Sequence, residues 1–238
     1  MLYMTQENFW LLYGVINMAL SKVDYNSLNV TAAASKALKW NSTPNGFETG
    51  DIAGSMVLIK TLTASDSATL SFVDGTDDVV LDSTYSSYVF KCINMHPETN
   101  NTSITFNGSI DAGSNYNVAK TASAFVAYNY ENDSARALGY STFYDMAQGT
   151  GYFNLGMADG QADDNDASLC AEIWLFAPSS TTFVKHFMVI TNMNSDTDIA
   201  MNGFAGAYFN TTSAIDAIQF KMTSDAIGAG IIKLYGIK

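Results

Sequence analysis

Histidine, cysteine, proline and basic side chains are all scarce in this sequence, and most of these shortages remove a class of function. His96 and His186 are the only two histidines in 238 residues. His96 precedes a proline in a turn cluster and His186 sits in an apolar strand-like run, and neither has a nucleophile motif beside it. A Ser-His-Asp site needs a histidine oriented by its neighbours, so that chemistry is not indicated. The stretches GMADG and FNGSID lack the Gly-x-Ser-x-Gly spacing of a nucleophile elbow. Cys92 and Cys170 lie far apart in apolar runs. They are expected as buried free thiols, with one disulfide as the alternative. Two cysteines make no disulfide scaffold, and no Cys-His spacing suits structural zinc. No Gly-rich phosphate loop occurs, since GFAGAYFN is not followed by a helical segment.

Eleven Lys and Arg face 23 Asp and Glu, for a net charge of -12. Phosphate backbones and anionic lipid would repel such a chain, which argues against nucleic-acid and membrane partners. The charge suits colloidal solubility or a cationic partner. Long apolar runs are also missing. Residues 9–16 are apolar but too short to span a bilayer. A secretory signal would start with positive charge, and no Lys or Arg precedes Lys22. The character changes abruptly at Met18, so residues 1–17 are expected to lie upstream of the true start. The intact mass of the native protein checks this.

What the sequence does have is alternation. Leu70 and Phe72 alternate with Ser71, and Phe153, Leu155 and Met157 alternate with Asn154 and Gly156. Ile218, Phe220 and Met222 alternate with Gln219, Lys221 and Thr223. Ile104 and Phe106 share one parity, with Thr105, Asn107 and Ser109 on the other. Period two places apolar side chains on one face of a strand and polar ones on the other. Two near-continuous apolar runs, 169–177 and 182–191, read as central strands buried on both faces, joined across Pro178-Ser179-Ser180. Glu172 and Lys185 interrupt these runs and are expected to point outward. Turn clusters at 74–75, 97–101, 111–114, 159–166 and 192–198 separate the strands. Residues 131–148 are ambiguous and leave room for a helical turn. No βαβ alternation appears, which excludes a parallel α/β sheet. The fold class expected is all-β, an antiparallel β-sandwich of jelly-roll-like kind with a short N-terminal extension. Residues 1–54 read as an arm or linker and 55–238 as the sandwich domain.

Candidate binding residues follow from side-chain type. Glu172 and Trp174 share a strand face at i and i+2, an acid beside an aromatic as in sugar sites. Tyr152 joins them as a ligand-binding candidate, and Tyr128, Tyr130 and Tyr140 offer further rings for stacking. The loop DGQADDNDAS is the densest in acid, and Asp159, Asp163, Asn165 and Asp166 are its candidate calcium ligands. They lack the EF-hand spacing and its closing Glu, so a solvated turn is the stronger reading. No cofactor other than calcium is suggested and no catalytic residue is assigned. Paired carboxylates held about 5–10 Å apart hydrolyse glycosidic bonds, and Glu172 is the acid on which an enzyme reading would rest.

The segment SKALKWNSTPNGFETGD carries two lysines, a turn-rich stretch and two acids. Its Lys36, Ala37, Leu38, Asn41, Gly46, Phe47 and Glu48 resemble connecting segments in tail-fibre and other virion proteins of tailed, especially marine, bacteriophages. STYSSYVFKCINMHPETNNTSITFNGSIDAGSNYN, FAPSSTTFVKHFMVI and the closing Leu234-Tyr235-Gly236-Ile237 are similar to strands and hairpins of the same group. The resemblance covers about 18–238 and supplies no catalytic positions. It implies a virion component made in the host cytoplasm: a tail fibre, head fibre or decoration protein acting as a display or adhesion module. It also implies other virion proteins as partners and a homo-oligomer, with a trimer favoured. A glycan-binding module for host surface polysaccharide is the alternative, and a polysaccharide-degrading enzyme comes third.

Overall fold

The computed structural model describes residues 36–43, 46–50, 54–156 and 160–238. Among the described residues there are strands and turns and no helix. The chain divides into two compact units between Ala53 and Gly54.

The first unit contains a hairpin where an extended arm was expected. Strand β1 (Ala37–Trp40) pairs antiparallel with β2 (Phe47–Gly50). Trp40 stacks on Phe47 with ring centroids 4.4 Å apart. Lys39 and Glu48 are register partners, with Nζ 3.3 Å from Oε1. The basic-then-acidic layout of this segment is therefore a cross-strand pair, of a kind worth about 0.2–1 kcal/mol.

The second unit is a sandwich of two antiparallel sheets. The larger sheet has nine strands: β3 (Met56–Ser67), β15 (Ile227–Ile237), β5 (Ser87–Pro97), β11 (Leu169–Phe176), β12 (Lys185–Asn194), β13 (Ile199–Phe209), β7 (Lys120–Tyr130) and β8 (Arg136–Tyr140), in that spatial order, with β9 (Met146–Gly149) also on β7. The smaller sheet runs β10 (Phe153–Asn154), β6 (Ile104–Ser109), β14 (Ala217–Met222), β4 (Leu70–Val73). The sequence-adjacent pairs β3–β4, β5–β6 and β14–β15 each cross from one sheet to the other. Because β15 lies between β3 and β5 while β14 lies between β4 and β6, these three crossing pairs run side by side around the sandwich. That wrapping is the jelly-roll-like element expected from the sequence.

Aromatic rings fill the space between the sheets. Phe72 of β4 meets Phe90 of β5 edge-on at 5.3 Å, and Phe106 of β6 and Phe153 of β10 both meet Phe187 of β12, at 5.3 and 5.8 Å. Each such pair contributes about 0.5–1.5 kcal/mol beyond its buried area. Gln161, fully buried, ties the sheets together with its amide: Nε2 donates to the Met95 carbonyl at 2.8 Å and Oε1 accepts from the Ile104 N–H at 3.2 Å. At one edge, Met56 pairs with Ile237, and the Lys238 N–H donates to the Ser55 carbonyl at 2.9 Å.

Four expectations are corrected. Strands β11 and β12 are central, but they are buried on one face only. Lys185 points inward, not outward: it shares parity with Phe187 and Val189 and is wholly inaccessible. Cys92 is buried as expected, but Cys170 is exposed, since it has the opposite parity to Leu169 and Ala171; both thiols are free. Every residue of β6 is buried, including Thr105, Asn107 and Ser109. Loops cover that outer face: the Asn107 amide donates to the carbonyls of Tyr116 (2.8 Å), Thr150 (3.0 Å) and Gly151 (3.3 Å). The ambiguous stretch 131–148 holds β8 and the start of β9. Met157 lies outside the described residues.

Candidate functional site

Alternation in β11 and β12 sends Ile173, Leu175, Phe187 and Val189 into the core and Glu172, Trp174, Phe176, His186, Met188 and Ile190 to the outer face of the large sheet. Cross-strand register extends these into rows. One row runs Tyr235, Val89, Trp174, Met188, Gly206, Ser123. The next runs Lys233, Lys91, Glu172, Ile190, Phe204, Phe125. Met188 is 50% exposed, Phe125 48% and Phe204 37%. Rings pair along this face: Trp174 with Phe176 at 6.4 Å and Phe125 with Phe204 at 5.1 Å, both stacked. Val89 belongs to the same face yet is fully buried, because its register neighbours on either side are the large rings of Tyr235 and Trp174.

Charge on these rows is confined to Lys233, Lys91 and Glu172, side by side in one of them. The strands of the large sheet contain two acids, Asp66 and Glu172; the other described acids of this unit lie in turns and loops. Glu172 accepts an ion pair from Lys91, Nζ to Oε1 2.7 Å, across the β5–β11 ladder. The face has relief. Gly206 and Ser123 open a depression of 470 Å³ bounded by Phe176, Met188 and Tyr208. A second, of 270 Å³, lies beside Lys91, Glu172 and Cys170. Nothing lies within 4 Å of where a Cβ on Gly206 would stand.

The three ligand-binding candidates do not form one site. Glu172 and Trp174 lie on the outer face of the large sheet. Tyr152 lies over the outer face of the small one, where its hydroxyl meets Gln219 Oε1 at 2.5 Å and the Lys221 ammonium sits 4.4 Å from its ring centroid. Burial raises the Tyr152 phenol above its ordinary pKa. The structure does gather other tyrosines. Tyr128, Tyr130 and Tyr140 line a cleft of 380 Å³ with Val126, Ile199 and Met201. Tyr128 and Tyr130 pack edge to face at 6.0 Å. The i, i+2 spacing of these two was legible; the approach of β8, which brings Tyr140, was not.

In the acidic loop, Asp163, Asn165 and Asp166 are exposed and Asp159 lies outside the described residues. Among the described residues no three His, Cys, Asp or Glu side chains gather as a metal cluster would require. His96 faces two carbonyl oxygens, Nδ1 to Pro97 and Nε2 to Asp164, each at 2.9 Å, and so pins this loop to β5. His186 lies on the open face, 5.9 Å from the Tyr208 ring.

Two buried lysines went unread in the sequence as core residues. Lys120 and Lys185 both pair with Phe209 in register, one from each side, and both are wholly inaccessible. Lys120 Nζ donates to the carbonyls of Val118 (3.1 Å) and Gly151 (2.5 Å), and Lys185 Nζ to those of Phe183 (3.0 Å) and Thr211 (3.3 Å). Burial disfavours both ammonium ions: it pulls Lys120 down to about 8 and Lys185 in the same direction. These lysines fasten loops to one end of the large sheet.

No family model and no curated protein matches this chain. Solved structures with weak likeness include the VP2 subviral particle of infectious bursal disease virus (11% identity, TM-score 0.13) and the Gt strain of the same virus (11%, 0.13). The alignments cover 85% and 82% of this chain and span 46% and 45% of those chains. At these scores the likeness carries no argument about fold or function.

Proposed function

We propose that this chain is a virion structural protein of a tailed bacteriophage, a tail-fibre, head-fibre or decoration component serving as a display or adhesion module. The observation that carries the structural role is the apolar, charge-poor outer face of the large sheet on a chain of net charge -12. A contiguous exposed apolar patch of this kind marks an interaction surface, and in this reading another virion protein covers it. The phage origin rests on the resemblance of the 36–48 segment and of the later hairpins. Acids in the turns keep the ends of the sandwich soluble while one face is left to assemble. The chemistry at hand also supports a non-catalytic role, because Glu172 faces Lys91 and not a second carboxylate. Labelling of purified phage particles with an antibody to this protein, backed by mass spectrometry of the particles, tests the reading. Its absence from particles overturns it.

The tyrosine cleft favours a second reading, recognition of a host surface glycan. A sugar ring has an apolar face that stacks on tyrosine, and the 380 Å³ cleft offers Tyr128 and Tyr130 over an apolar floor. Binding to host polysaccharide, with and without calcium, that is lost in Tyr128→Ala supports this reading. Equal binding by the variant removes it.

A further inference from the structure

We infer that the outer face of the large sheet pairs with the same face of a second copy about a twofold axis running between β5 and β11. This rests on the structural-role reading above and names its partner.

The Lys91–Glu172 pair sets the axis. These residues are directly opposite across the β5–β11 ladder and joined at 2.7 Å. An axis parallel to the strands and midway between them maps β5 onto β11. It places Lys91 over the partner's Glu172 and Glu172 over the partner's Lys91. A surface that matches itself in this way is what an isologous contact requires. The same operation sets Met188 over the partner's Tyr235 in the neighbouring row and, in the axial row, Ile190 over the aliphatic stem of the partner's Lys233. A threefold contact would need two different patches, and one self-matching patch supplies none of that asymmetry.

Charge and area agree with a second copy as the occupant. Two chains of net charge -12 repel wherever their acidic turns approach. Across this face the acid near the axis is Glu172, and it meets a lysine. The axis overlays the six strands from β3 to β13, with β3 on the partner's β13, β15 on the partner's β12 and β5 on the partner's β11. At ~4.8 Å per strand and ~3.4 Å per residue over about seven residues, the overlaid patch covers roughly 700 Å² in projection. A standard interface takes about 800 Å² from each partner. Aligned packing of two such sheets, rotated by about 30°, is a common arrangement.

Sedimentation of the full chain over a concentration series tests this. The wild type is expected to form a two-chain species. Lys91→Glu gathers four acids at the axis, two from each chain, and Glu172→Lys four bases, so each variant alone should self-associate roughly tenfold more weakly or worse. Mixed in equal amounts, the two variants should pair with each other more tightly than either does with itself. A role confined within one chain would not produce that result. A wild type that stays monomeric, a three-chain species, or variants that associate as the wild type does would overturn the inference. If the protein is monomeric yet present in particles, the virion role stands and the face belongs to another protein. If it pairs but is absent from particles, the pairing stands and the virion role falls.

Discussion

Lys120 makes the stability of this protein depend on pH in an unusual direction. Its ammonium is buried against two carbonyls, and its pKa falls to about 8 from an ordinary value near 10.5. Below pH 8 both the folded and the unfolded chain hold the proton, and the folded state bears the full cost of burying it. Between pH 8 and 10.5 the unfolded chain holds a proton that the folded chain has released. Stability therefore rises with pH through that window. A shift of about 2.5 units at 1.36 kcal/mol each comes to about 3 kcal/mol, of which about 1 kcal/mol falls between pH 8 and 9. Cys92 and Tyr88 act the other way. Burial raises both pKa values, so their folded forms keep protons that the unfolded chain loses at alkaline pH. Comparison with Lys120→Met removes that interference, because both proteins share those groups and Lys185. The assay is urea denaturation followed by tryptophan fluorescence at a series of pH values. The stability of the wild type minus that of the variant should climb by about 3 kcal/mol from pH 7 to above pH 10. The lost bonds to Val118 and Gly151 add an offset that does not vary with pH. A difference that stays flat across this range would falsify the assignment of Lys120 as a charge whose burial costs more than its two hydrogen bonds return.

Further predictions concern packing and the open face. Asn107→Ala leaves the carbonyls of Tyr116, Thr150 and Gly151 without their common donor and should cost about 1–3 kcal/mol in urea denaturation, with proteolysis of the 111–119 loop and of the 150–152 turn after β9 appearing first. Phe187→Ala removes the ring shared by Phe106, Phe153 and Phe209 and should cost about 3–5 kcal/mol; a loss below 1 kcal/mol would mean those rings repack. Gly230 lies at a bulge between β15 and β5 with φ of 130°, and a Cβ there would stand 2.8 Å from Met95 Sδ and 2.9 Å from the Asn94 carbonyl oxygen. Gly230→Ala should therefore lower the melting temperature clearly, while Gly206→Leu, with open space and ordinary φ, should leave it nearly unchanged. If the face pairs as inferred, Gly206→Leu should still weaken association by filling the depression.

The strands of the small sheet were legible because one face of each is strictly apolar: Leu70 and Phe72, or Ile218, Phe220 and Met222, leave a single choice of inward parity. Strand β12 defeated the same logic. Phe187 and Val189 alternate with Met188 and Ile190, so both parities look like core, and Lys185 gave the wrong vote. Its burial is settled by carbonyls from two loops, which period two cannot see. Asn107 shows the same limit, since a polar residue on an outward position reads as solvent-facing until a loop covers it. The Lys91–Glu172 pair was illegible for another reason: the residues stand 81 positions apart, and register alone brings them together.

The pairing of Met56 with Ile237, sealed by the bond from Lys238 to Ser55, sets how this body would bear a load. Ser55 and Lys238 emerge side by side from one corner, so a pull between them opens the β3–β15 ladder bond by bond, like a zip, and meets little resistance. A pull spread across the broad sheet would strain many ladders at once. A module with this geometry withstands shear when gripped by its flank and is weak as a link in a chain.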